Sequence, residues 1–149
     1  MPFPPRLWAS LGILAGVGGG AGTATFVYAR GFSYMTSDPS ACANCHVMGD
    51  VYDRWARSSH RIVAACNDCH LPAGLAGKLW TKGENGMRHS LAFTFGGFPE
   101  PIRIVPRDRA IAEGACRRCH GEMTVAIDRT SGRDEPLACA RCHGTAGHP

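Results

Sequence analysis

Four copies of one five-residue pattern set the terms for this chain of 149 residues. They are Cys42-Ala43-Asn44-Cys45-His46, Cys66-Asn67-Asp68-Cys69-His70, Cys116-Arg117-Arg118-Cys119-His120 and Cys139-Ala140-Arg141-Cys142-His143, and they use all 8 cysteines. Two thiols three positions apart can each form a thioether to one vinyl edge of a porphyrin, and the imidazole that follows can then reach the iron from one face. Pairs of Cys-x-x-Cys also build tetrahedral zinc sites. Zinc, however, does not call for a histidine directly after every pair, and with 7 histidines in 149 residues four such placements are not chance. The pattern predicts four covalently bound c-type haems (haem c).

Porphyrins on that scale change what the polypeptide has to supply. A 15.9 kDa chain could hold one ordinary domain, but many of its apolar residues sit near the N-terminus. The remainder is rich in glycine and proline, so it is expected to wrap around cofactors that provide the buried apolar mass. Charged residues are 19%, below the roughly 25% of soluble domains. The net charge of +4 omits the haem propionates and is no argument for nucleic-acid binding. Thioether attachment takes place outside the bacterial inner membrane, so the haem-bearing part must be exported.

Leu7 to Tyr28 holds no charged residue and is bounded by Arg6 and Arg30. As a helix it would span about 33 Å, against a bilayer core of roughly 30 Å. Trp8 and Tyr28 fall where interfacial aromatics lie. A cleavable signal peptide is the rival, but its apolar core runs only about 7 to 15 residues. The expectation is a retained single-pass anchor in the bacterial inner (cytoplasmic) membrane, N-terminus cytoplasmic and haem domain periplasmic. Gly12, Gly16 and Gly20 recur every fourth residue and would let another helix approach closely.

The rest reads as short helices and loops. Gly49 and Asp50 resemble a helix start, with a helix expected over Val51 to Arg61; Pro106 should begin another that runs through Glu113 and ends at Gly114. No alternating pattern long enough for a sheet is present. Cys42 to Cys66 and Cys116 to Cys139 are similar intervals, so the haem sites form two pairs joined by a long middle segment. The expected class is mainly α and irregular: residues 1–30 with a transmembrane helix, then 31–149 as a compact multihaem cytochrome c domain of two dihaem halves.

Four irons need eight axial ligands. The motif histidines His46, His70, His120 and His143 offer four, and only His60, His89 and His148 remain. At least one position must be open, non-histidine or supplied by another chain. His60 and His148 are candidate distal ligands, the latter five residues beyond His143. Met48 follows His46 by two residues, too close to bind the opposite face, so it either packs or replaces His46; a thioether ligand raises the potential of the iron. In the middle segment Trp80, Leu91, Phe93, Phe95 and Phe98 could form an apolar surface at the headgroup layer or pack as core. Lys82, Glu84 and His89 are the groups there able to bind a hydroxyl or accept a proton.

Taken together, the N-terminal helix, Cys42-x-x-Cys45-His46-x-Met48, four sites in two pairs, Lys82 and His148 resemble the NapC/NirT family of membrane-anchored quinol dehydrogenases over nearly the whole chain. The stretch Asn85-Gly86-x-x-His89-Ser90-x-Ala92-Phe93-Thr94 is most similar to members that form the small subunit of a cytochrome c nitrite reductase. The resemblance implies that Met48 binds the first iron, that Lys82 belongs to a quinol site beside it, and that His148 is a distal ligand. It implies menaquinol as electron donor and a periplasmic multihaem nitrite reductase as partner in a hetero-oligomer that makes ammonium. Other expectations to weigh are a quinol dehydrogenase serving other periplasmic reductases, and a soluble tetrahaem carrier released by signal cleavage.

Overall fold

The computed structural model describes residues 4–148 and is helical, with no strand among them. It divides into two compact units, the first ending at Thr36 and the second beginning at Ser37. The first unit is built on α1 (Pro5–Tyr28). Proline in its first turn costs no hydrogen bond, since that N–H has no intrahelical partner. Arg30 ends the helix by turning left-handed at φ 50°, and a 3₁₀ segment, Gly31–Met35, folds back so that Phe32 meets Phe26 edge-to-face at 4.9 Å. At 24 residues α1 is about 36 Å long, enough to cross a bilayer. None of its apolar window is buried by the protein itself, as a helix solvated by lipid requires.

The second unit is a set of short elements. A 3₁₀ stretch, Pro39–Asn44, carries the first motif and is capped by Asp38, whose carboxylate accepts the Ser40 N–H at 2.9 Å. Then come α2 (Gly49–Arg57), α3 (Cys66–His70), α4 (Leu75–Phe95), α5 (Pro106–Cys119) and α6 (Gly121–Thr130), with a 3₁₀ turn, Cys139–Arg141, in the fourth motif. Glycines at positive φ bracket α4: Gly74 at 87° before it and Gly96 at 72° after it.

Two helix boundaries differ from the sequence expectation. α2 stops at Arg57 because Ser58 is extended, so His60 rides on a separate 3₁₀ turn, Ser59–Ile62. α5 runs straight through Gly114 to Cys119, since a glycine inside a helix costs only about 1 kcal/mol and Ala115 beside it is buried. α3, with the second motif, packs on α5, with the third, and everything from Ser37 onward forms one unit.

Protein-only burial is slight. Among the described residues the buried apolar side chains are Leu71 and Ala115, and the buried polar one is Thr81. The accessible surface of 11546 Å² compares with roughly 7,400 Å² for a folded monomer of this mass. The bare α1 accounts for part of the excess.

Candidate haem and quinol sites

Each attachment motif is placed by a short helical element. The second spans α3, where Asp68 accepts the Ala65 N–H at 2.8 Å and fixes the entry to the helix. The third closes the C-terminal turn of α5, with the His120 N–H on the Cys116 carbonyl at 2.8 Å. In the fourth, the His143 N–H reaches the Cys139 carbonyl at 2.9 Å and leaves the imidazole exposed. All eight thiols are free. Cys42 and Cys66 are hydrogen-bonded to each other, which lowers Cys42 to about 7 and raises Cys66, so the first and second motifs adjoin. Among the described residues no three His, Cys, Asp or Glu side chains converge to hold a bare ion.

The histidines pair across the chain. His60 and His120 have ring centres 6.3 Å apart, and His70 and His148 have theirs 6.2 Å apart. Two imidazoles on opposite sides of one metal, with metal–nitrogen bonds of about 2.0 Å and nitrogens about 1.1 Å from their ring centres, sit about 6.2 Å apart. The His60 Nδ1 lies 3.0 Å from the Ala146 carbonyl, and the His148 Nδ1 lies 3.1 Å from the Val51 carbonyl. A carbonyl can only accept, so both protons are on Nδ1 and both Nε2 lone pairs are left for a metal. Burial, then the neighbouring His148, push His70 below its ordinary pKa and keep it neutral, the ligating form. This donor set fits c-type haem iron at the second and third motifs.

At the first motif His46 is exposed while Met48 is half-buried at the start of α2. Lys82 lies close enough to Cys42 to favour its thiolate. Lys82 and His89 both lie on α4, seven residues and so two turns apart, on one face. Partial desolvation, then Arg88, lower the His89 pKa, with Asp108 acting the other way. His89 belongs to neither imidazole pair. Glu84 is committed elsewhere, in an ion pair with Arg107, which also donates to the buried Thr81 hydroxyl at 3.1 Å. Trp80, Phe93 and Phe95 are 72%, 72% and 81% exposed, so the aromatic stretch of α4 is not a protein core.

Sequence reading passed over the polar residues of α5. Glu113, Arg117 and Arg118 reach neighbouring motifs, and the buried Oδ1 of Asp108 has no hydrogen-bond partner. The available signal was the pair of arginines inside the third motif, where attachment itself asks for no particular residue.

Known proteins resemble this chain over most of its length. The NapC/NirT cytochrome c family, N-terminal region, matches residues 5–149. The cytochrome c-type protein NrfH of Wolinella succinogenes is 34% identical over 137 residues, covering 83% of this chain and 77% of that one. The cytochrome c nitrite reductase subunit NrfH of Nitratidesulfovibrio vulgaris is 28% identical over 120 residues, covering 80% and 72%. A chain from the crystal structure of the cytochrome c nitrite reductase NrfHA complex bound to the HQNO inhibitor superposes with a TM-score of 0.65 at 25% identity, over 89% of this chain and 88% of that one. With a membrane-length helix, haem-attachment motifs throughout its second unit and a family match over almost its entire length, the chain belongs to the NapC/NirT cytochrome c family.

Proposed function

We propose that this chain is a membrane-anchored tetrahaem cytochrome c that oxidises menaquinol and passes electrons to a periplasmic multihaem nitrite reductase. The observation that carries the reading is a membrane-length helix, α1, in one chain with four haem-attachment motifs. The relatives named NrfH and the HQNO-bound NrfHA complex support it, HQNO being a quinone analogue.

Bound haem c would supply one-electron relay at each of the four motifs. The cysteine pairs would tether it, His70 with His148 and His120 with His60 would hold two of the irons, His143 would hold the fourth, and Met48 would hold the first. Lys82 donates to a quinol oxygen, and a neutral His89 on the same helix face accepts a hydroxyl proton, so that deprotonation accompanies electron loss. The exposed aromatics of α4 offer an apolar surface for a lipid-soluble substrate. In the cell α1 crosses the cytoplasmic membrane with its N-terminus inside, and the haem-bearing unit lies in the periplasm.

The test is to extract the intact chain in detergent, measure its mass, and assay menaquinol oxidation with the partner reductase present. Four haem increments, a retained N-terminal segment and nitrite-dependent menaquinol oxidation are expected. Fewer increments, a missing N-terminal segment, or a preparation that dithionite reduces but menaquinol does not, would overturn the reading.

A further inference from the structure

α5 ends in the third attachment motif, and its polar side chains take hold of the chain on either side of that motif. On one side Arg118 Nη2 donates to the Asp68 carbonyl at 2.9 Å and to the Leu71 carbonyl at 3.5 Å. Those carbonyls flank Cys69 and His70. α3 is only five residues long, so its last carbonyls lack intrahelical partners, and a guanidinium is a strong donor for them.

On the other side Glu113 accepts the backbone N–H groups of Cys139 at 2.6 Å and Ala140 at 2.8 Å. Arg117 donates to the Leu137 carbonyl at 2.6 Å and forms an ion pair with Asp128, which itself accepts the Leu137 N–H at 3.1 Å. The approach to the fourth motif is thus held at the backbone of Leu137, Cys139 and Ala140 by two residues of α5. Farther back on the helix, Arg107 ties α5 to α4 through Thr81 and Glu84. Haem attachment accounts for Cys116, Cys119 and His120 and for none of these contacts.

We infer that Arg118 and Glu113 are positioning residues, which set the separations of the second and fourth attachment motifs from the third so that α5 acts as a common spacer for three cofactor sites. Arg118 adds a second effect. Its charge is permanent, and a cation held between two redox sites favours the state that carries the extra electron, although its exposure to solvent screens it in part. The inference rests on the reading of four attached haems.

The experiment uses the full-length haem-loaded chain in detergent and compares Arg118→Ala, Arg118→Lys and Glu113→Gln with the parent. Intact mass counts the haems, the Soret circular dichroism reports haem-to-haem geometry, and potentiometric titration resolves the redox components. With four haems present, Arg118→Ala should alter the split Soret signal and move one component negative by up to about 59 mV, a tenfold change in its reduced-to-oxidised ratio. Arg118→Lys keeps the charge and should restore the potential more fully than the geometry. Glu113→Gln keeps one acceptor oxygen but loses the other, and should change the Soret signal while leaving the component sensitive to Arg118 in place. Unchanged Soret signals and potentials in fully loaded Arg118→Ala and Glu113→Gln overturn the inference. If Arg118→Ala loads poorly, Glu113→Gln decides alone, by the same signal. Fewer than four haems in the parent would instead reject the underlying four-haem reading, so the two failures are distinct.

Discussion

His60 and His148 orient each other's segments. The His60 ring is held by the carbonyl of Ala146, two residues before His148, while the His148 ring is held by the carbonyl of Val51, nine residues before His60. Each proposed distal ligand therefore depends on the stretch of chain that delivers the other, and neither site can be completed until the C-terminal tail has docked near α2.

Replacing either histidine tests this brace. His148→Ala should leave the iron opposite His70 five-coordinate, and His60→Ala should do the same opposite His120. Each variant is expected to convert one low-spin haem to high-spin in the electron paramagnetic resonance spectrum, and to weaken the other low-spin signal because its orienting segment has loosened; loss of an outer hydrogen bond typically costs about 10- to 100-fold in metal affinity. Two wholly independent changes would show that the brace does not couple the sites.

At the first motif Met48 is half-buried and His46 exposed, so the two residues should rank clearly. Met48→Leu keeps the volume but removes the sulfur, and should lower the potential of the first haem and abolish its reduction by menaquinol. His46→Leu should be milder in the same assay. The opposite order, read from the optical spectrum and stopped-flow reduction, would assign the ligand to His46.

Lys82→Ala and His89→Ala should each slow menaquinol oxidation while dithionite still reduces every haem. Loss of a positioned acid or base is worth about 10²- to 10⁴-fold. The His89 pKa lies below its ordinary 6.5, so the neutral, proton-accepting form is present at neutral pH. Activity should fall as pH drops through that lowered value, and His89→Ala should lose this acid limb. A limb that persists unchanged in the variant assigns it to a different group.

Glu113 should make the fourth motif sensitive to acid. Burial raises its pKa, but the N–H groups of Ala140 and Cys139 outweigh burial and hold it below the ordinary 4.5. A depressed carboxyl pKa contributes stability that is fully present above the unfolded value and disappears as pH falls through the folded one. The circular dichroism of the fourth site should therefore stay constant above pH 4.5 and change below it, a transition that Glu113→Gln should remove.

Much of this protein could be read from residue order alone. Attachment chemistry needs Cys, Cys and His at fixed short spacing, and a membrane span needs only length without charge, so both are local properties. Lys82 and His89 could be put on one face because seven residues make two turns of whatever helix carries them. Local rules failed in three places: Ser58 breaks the helix before His60, Gly114 does not end α5, and Glu84 turns to Arg107, 23 residues away, rather than to a substrate. The pairings of His60 with His120 and His70 with His148 join residues 60 and 78 positions apart, and no spacing rule reaches that far. Those pairs, and the grip of α5 on the motifs either side of it, come from packing short helices against one another. Only the tertiary structure could decide them, because backbone carbonyls have no identity in a sequence and become specific ligand-orienting partners only when folding brings them to a particular ring.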